Sequence, residues 1–429
     1  MKQEKFLKRK IDSIWNYQFT NFPKKLLILG ILGIVLLGLT QNIFDIFITN
    51  NIFGHAKISL QDYLSIISNN VTLPNKSEFL SQHFATIWIV AAFLVFIVRV
   101  TVIITGYFKS KEVFGEELFF QNVFAFFSSA VLATIFRAAL LLIIGAITAY
   151  FGFQILSGTN IFQYLSEKLA LFISHNIPTL LNVHSYGLAL FISIISIGFP
   201  GYFIHMLCHE SRFMWLVFHK PHHVPQILYP LAVPPTLVFE FFLLVPTALF
   251  SMIISKLVHT EPLVMEMSLW LILGYSMEIF NHSSVHYDFA YKNPIIRNLC
   301  RLFGDKGVYH IAHHSAAEHD KLVNLTEGPF QIWDRLFGTY RKPYESMPKV
   351  GLASKSEVKL NPLRIILSGV LQIVYELLHN KGFNTKLKII FAHSTYEPPI
   401  TKDFLSADIS FELHKLETLM EMIPAPGFN

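Results

Sequence analysis

Six stretches of this 429-residue chain are apolar over a length that can cross a lipid bilayer, near residues 26–49, 84–108, 118–153, 186–204, 231–257 and 263–281. A hydrocarbon layer about 30 Å thick asks for roughly 20 such residues per helix. Little else in a sequence narrows the choice of folds as far. The expected class is all-α: a polytopic membrane helical bundle. The composition agrees, with 52% hydrophobic residues, 15% charged residues and a mean hydropathy of +0.46. A water-soluble domain needs more polar surface than that.

Charge placement orients the bundle. Lys2, Lys5, Lys8, Arg9, Lys10, Lys24 and Lys25 precede the first apolar run, and Lys109 and Lys111 follow the second. Loops 41–83 and 154–185 hold few cations, so the positive-inside rule puts the N-terminus in the cytoplasm as a retained segment, not a cleaved signal peptide. Four spans return the chain to the cytoplasm near residue 205. A hairpin over 231–281 returns it there again, so residues 205–230 and 282–345 are expected on one side. The formal charge of +5 is scattered over loops and tails, which excludes a nucleic-acid-binding stripe. Two cysteines, Cys208 and Cys300, make no disulfide framework and no Cys-x-x-Cys pair. The run LRIILSGVLQIVYELL at 363–378 is short and carries Arg364, Gln372 and Glu376, the pattern of an interfacial helix.

The two stretches that share a side hold ten of the nineteen histidines. They form four motifs: His205 with His209, His219 with His222 and His223, His282 with His286, and His310 with His313 and His314. Spacings of three and four put side chains on one helix face, and two of the motifs continue directly from spanning helices. The expectation is a cytoplasmic histidine-rich helical cap that aims imidazoles at one region beneath the membrane. Ten imidazoles gathered without a metal would repel one another wherever they protonate. Neutral imidazole suits iron, zinc, copper and nickel. One zinc needs at most four protein ligands, so ten divide more naturally between two metals.

The order of these motifs resembles the fatty acid hydroxylase / sterol desaturase superfamily. HMLCHESRFMWLVFHKPHH is similar to that family's first two histidine boxes, NHSSVHYD to its third, and YHIAHHSAAEHDKLVNLTEGPFQIWDRLFGTYRKP to its last box and the segment after it. The resemblance is strong over 186–345, and NPLRIILSG at 361–369 is similar to the tail of bacterial members. It implies an integral membrane, non-haem diiron enzyme of a bacterial inner membrane, using O₂ and external electrons to hydroxylate or desaturate a lipid such as a fatty acyl chain or sterol-like molecule. It also implies all ten histidines as ligands to two Fe ions, sites that zinc enters readily in purified protein. No haem, flavin or electron-carrier motif is present, so a separate reductase or ferredoxin-like donor is implied. GFPGYFI, before the first box, lacks the acidic residue often found there in the family.

Ligand imidazoles usually donate their second N–H to a carboxylate or carbonyl. Glu278, one helical turn before His282, together with Asp288 and Asn324, are the candidates for that role. Glu210, Glu318 and Asp334 read as solvated acids, and Trp333 and Tyr340 as interfacial anchors. The expected domains are an N-terminal membrane region (1–180), a catalytic domain (181–345) and a cytoplasmic tail with an interfacial helix (346–429). The competing class is a non-catalytic, histidine-rich metal transporter or sensor. It would carry ionisable ligands near mid-membrane, whereas these cluster at the cytoplasmic ends of the spans. A zinc hydrolase with H-E-x-x-H is disfavoured because Phe213 stands where the second histidine would be.

Overall fold

The computed structural model describes residues 10, 12–15, 78–150, 171–231, 249–250, 252–258, 263–317, 322–326, 328–352 and 360–405. The expected spans at 26–49 and most of 231–257 lie outside these. Among the described residues there are helices and two isolated bridges, with no strands.

Helix α1 (Glu78–Phe114) and helix α2 (Glu116–Tyr150) form a hairpin. Gly115 turns between them at φ 80, a conformation open to glycine without strain. Helix α3 (Tyr186–Glu210) starts at Ser185, whose side chain accepts a hydrogen bond from Leu188 N. The stretches Thr86–Phe114 and Tyr186–Glu210 are each long and apolar enough to cross a membrane. Ser211 ends α3 in an extended conformation, and its hydroxyl then caps the next turn by accepting from Met214 N. A π-helical turn at Trp215–His219 follows, then the short helix α4 (Lys220–His223).

Helix α5 (Val264–Glu278) is shorter than the run that suggested it. Beyond it come α6 (Tyr287–Lys292), α7 (Pro294–Leu302) and α8 (Val308–His313). Asn293 caps α7 by accepting from Ile295 N and Ile296 N, with Pro294 at the first turn, where its missing N–H is harmless. Helix α9 (Ile332–Phe337) ends at Gly338, and α10 (Pro362–His379) and α11 (Phe383–Phe391) form the tail.

The tail helix α10 is packed into the protein. Its length and composition match a membrane span, yet Arg364, Ile365, Ile366, Gly369, Ile373 and Glu376 are buried. A Cβ at Gly369 would collide with the backbone of Leu216 in the π turn, so only glycine lets the two elements meet. The fully buried Glu376 binds Arg212 in two contacts of 2.7 and 2.8 Å. Removing one partner of such a pair typically costs about 3–5 kcal/mol, because the other charge stays buried. This ion pair fixes the tail against the turn that joins the first two histidine motifs.

Candidate metal centre

The structure sorts eight of the ten histidines into two groups. His205, His209, His219 and His313 form one and His222, His282, His310 and His314 the other, with one ligand nitrogen from each residue within 4.8 Å of the rest of its group. Each H-x-x-H-H triplet is divided between them. The first sends His219 one way and His222 the other; the second sends His310 and His314 to one group and His313 to the other. His223 adjoins the first group, with Nε2 3.0 Å from His219 Nε2, and its ring stacks on His314 at 4.3 Å between centroids.

His286 stands apart. Its Nδ1 lies 2.6 Å from Ser283 Oγ and its Nε2 2.9 Å from Thr105 Oγ1, so both nitrogens have hydroxyl partners. The helical-face argument for His282 and His286 is corrected by the backbone. Helix α5 ends at Glu278, turns follow, and Ser284–His286 is a 3-10 turn. A spacing of four therefore does not bring these two side chains together.

The hydrogen-bond partners of the ring nitrogens fix where their protons lie. Carbonyl oxygens only accept, so His205 Nδ1 donates to Leu325 O (3.2 Å) and His313 Nδ1 donates to Val323 O (2.8 Å). A neutral imidazole has one N–H, so both Nε2 atoms are bare, yet they face each other at 3.1 Å. His310 Nδ1 donates to Asp305 Oδ2 at 3.0 Å, and its bare Nε2 lies 3.2 Å from His282 Nε2 and 3.0 Å from His314 Nε2. Protonation would not relieve the crowding. Burial, reinforced by neighbouring imidazoles, holds His219, His223, His282, His310, His313 and His314 well below the ordinary histidine range.

Converging lone pairs in a buried site call for a cation. The spacing also suits one: ligands about 2.1 Å from a single ion lie about 3.0 to 3.4 Å apart for octahedral to tetrahedral angles. The observed Nε2 separations of 3.0 to 3.2 Å fall in that interval. His209 adds a buried Nε2 that has no hydrogen-bond partner. The donor set, neutral imidazole throughout, fits a first-row transition metal.

A strap, residues 323–326, holds part of this arrangement. Its carbonyls orient His205 and His313, while the wholly buried Asp334 accepts hydrogen bonds from Leu325 N (2.7 Å) and Thr326 N (2.9 Å). Asp334 also accepts from the Thr339 hydroxyl at 2.6 Å. It is thus no solvated acid, and its effect reaches two imidazoles that it does not touch. Thr326 O in turn accepts from Asp305 N at 2.8 Å.

The expected orienting residues fare differently. Asn324 is buried in the strap at φ 50, donating to Tyr309 O and accepting from Arg341 N. It braces backbone, not an imidazole. Asp288 is exposed, and Glu278 ends α5 half-buried. The carboxylate that does meet a histidine is Asp305. It precedes His310 by five residues across a turn with Gly304 at φ 106 and Gly307 at φ 57, which helical spacing alone does not reveal.

The family model described as fatty acid hydroxylase matches residues 189–339, a span that contains both histidine groups, the strap and Asp334. No curated protein and no solved structure matches the chain.

Proposed function

Starting from a chain that belongs, through residues 189–339, to the fatty acid hydroxylase / sterol desaturase superfamily, we propose that it is a membrane-bound non-haem diiron oxygenase that hydroxylates a lipid. The observation that carries this reading is the pair of Nε2 clusters spaced as ligands of two ions, one wholly buried with the bare nitrogens of His205 and His313 facing each other and one gathered on the bare Nε2 of His310. The proposed ligands are the two four-histidine groups together with His223, and His286 is read as a strut between α1 and the turn that carries Ser283. Two irons held there would supply reductive activation of O₂ for attack on a C–H bond.

The protein's own residues supply the rest. Leu325 O and Val323 O fix the tautomers of His205 and His313, and the Asp305 carboxylate does so for His310 while making that ring a stronger donor. Burial of the first group keeps water from its nitrogens, whereas His222 and His282 in the second are only partly covered. Substrate and oxygen therefore approach from the second group's side. Hydroxylation converts one C–H bond and one O₂, with two electrons and two protons, into one alcohol and one water. The electrons come from a separate reductase or ferredoxin-like donor. The lysine and arginine placement favours a site on the cytoplasmic face, and the resemblance of residues 361–369 to bacterial members makes a bacterial inner membrane the proposed location.

Lipid extracts from cells with and without the protein, grown under isotopically labelled dioxygen, test this. The expected result is a lipid alcohol carrying one labelled oxygen, lost in the His313→Ala variant. A new double bond without label would move the reading to desaturation. An unchanged lipid profile with a competent electron donor present would refute an oxygenase.

A further inference from the structure

Helix α9 lies alongside the cytoplasmic half of a membrane span, from Ile195 near its middle to Tyr202 one turn before His205, and not beneath its end. Trp333 Nε1 donates to Ile195 O at 3.0 Å. At 1.5 Å per residue, Ile195 is about 14 Å from the start of α3 at Tyr186 and about 21 Å from His209. The bond falls beside the turn that Pro200 deprives of a backbone donor. Phe199 packs on Trp333 at 4.7 Å and Phe337 stacks on Tyr202 at 5.2 Å. A Cβ at Gly198 would collide with the backbone of Gly328, so this close seating depends on glycine.

Along this half of the span, α9 and the Pro329–Gln331 turn before it carry apolar side chains outward. Leu336 is 67% exposed, Phe337 54% and Phe330 43%, and the patch continues onto Phe203 of α3, 43% exposed. Phe330 and Gln331 both adopt left-handed backbone at φ 55 and 54. Non-glycine residues enter that region only when their surroundings compel it, and here it sets Phe330 outward.

The polar groups are arranged for the same setting. Non-helical backbone survives at membrane depth only if its amides are satisfied within the protein. The Asp334 carboxylate serves Leu325 N and Thr326 N, Thr326 Oγ1 accepts from Asp334 N at 2.9 Å, and Asp334 O accepts from Thr339 N at 2.8 Å. Arg335 folds back along the protein, donating to Phe330 O, with its guanidinium 3.7 Å from the Tyr340 ring centroid, as a snorkelling side chain does.

We propose that α9, with the Pro329–Gln331 turn before it, is a re-entrant membrane element whose Phe330, Leu336 and Phe337 contact the acyl chains of the bilayer. The occupant is lipid because the patch is continuous with the outward apolar face of a span. The expectation that residues 282–345 stay wholly on the cytoplasmic side is thereby revised for this one helix. The same helix carries Asp334, so lipid contact and the strap of His205 and His313 share one rigid piece. The inference rests on the membrane reading of α3 and not on the identity of any metal.

The test uses the full chain in phospholipid nanodiscs, with an environment-sensitive fluorophore on Leu336→Cys, Phe337→Cys or, as an independent position, Phe330→Cys. Cys208 and Cys300 are buried and serve as the unlabelled background. Phe203→Cys is the span reference and the exposed Lys342→Cys the aqueous one. Quenching by nitroxide-bearing acyl chains at the α9 positions is expected to match Phe203 and to exceed Lys342 by at least about threefold, with iodide ineffective. Iodide quenching equal to that at Lys342 would overturn the proposal. So would resistance to both quenchers, which would mean protein covers the patch. Aqueous behaviour at Phe203 itself would overturn the membrane placement of α3, and the proposal with it.

Discussion

The two histidine groups use the same residue and nearly the same spacings, yet they are held in different ways. In the first, all four rings are buried, and the outer nitrogens of His205 and His313 rest on backbone carbonyls of one strap. In the second, two rings are partly exposed and His310 rests on the Asp305 carboxylate. The supports meet at Thr326, whose N–H is held by Asp334 and whose carbonyl accepts from Asp305 N. A neutral, closed group beside a carboxylate-backed, more open one suggests a division of labour. Under the proposed function, the first group would anchor its ion and the second would be the place where oxygen and substrate arrive.

The largest expected effect separates the groups outright. His313→Ala should lower metal content by about one ion per chain, and His310→Ala should do the same at the other group, both read by elemental analysis. Equal loss of both ions from either variant would show a single cooperative site. Next comes Asp334→Asn, which touches no imidazole. Loosening the strap should weaken metal retention about 10- to 100-fold at the first group, measured by chelator competition, and leave the second nearly intact. Uniform weakening would mean that Asp334 supports the fold at large.

Asp305→Asn is the mirror test and should act on the second group alone, at the lower end of about 10- to 100-fold. Acidification then ranks the groups by exposure. Burial lowers the folded pKa of these histidines, so above about pH 6.5 both folded and unfolded forms are neutral and no stability is at stake. Below that value the unfolded chain takes up protons that the fold refuses, and metal retention and stability both fall. His222 and His282, reachable by water, should release their ion first in a chelator titration across pH 7 to 5. Release of the buried ion first would reverse the comparison. The smallest effect is expected at His286→Gln, which should leave both ions in place because its nitrogens already serve Ser283 and Thr105. Loss of an ion there would restore His286 to the ligand set.

What the sequence made legible follows from the range of each interaction. The histidine motifs stood out because spacings of three and four carry geometry along a helix, and His205, His209, His219, His310 and His314 do fall on helical or π-helical backbone or at its end. The same rule misled at Glu278 and at the pair His282 and His286, where the helix stops and turns take over. Asp305 was hidden because the chain turns at Gly307, at φ 57, between it and its histidine. The contact of Thr105 with His286 joins residues 181 apart, and Asp334 acts through a strap eight and nine residues upstream. Such links exist only once the chain has folded. The tail run at 363–378 was read by composition as interfacial, while the glycine contact and the Arg212–Glu376 pair that fix it to the π turn depend on partners far along the chain.

Whether two ions sit in the two imidazole groups is read out most directly by metal analysis of the anaerobically purified protein, with X-ray absorption on the same sample. Two metals per chain are expected in a shell of nitrogen ligands about 2.1 Å away, with one lost in His219→Ala and one in His310→Ala. Fewer than two metals per chain, unchanged in both variants, would contradict that expectation.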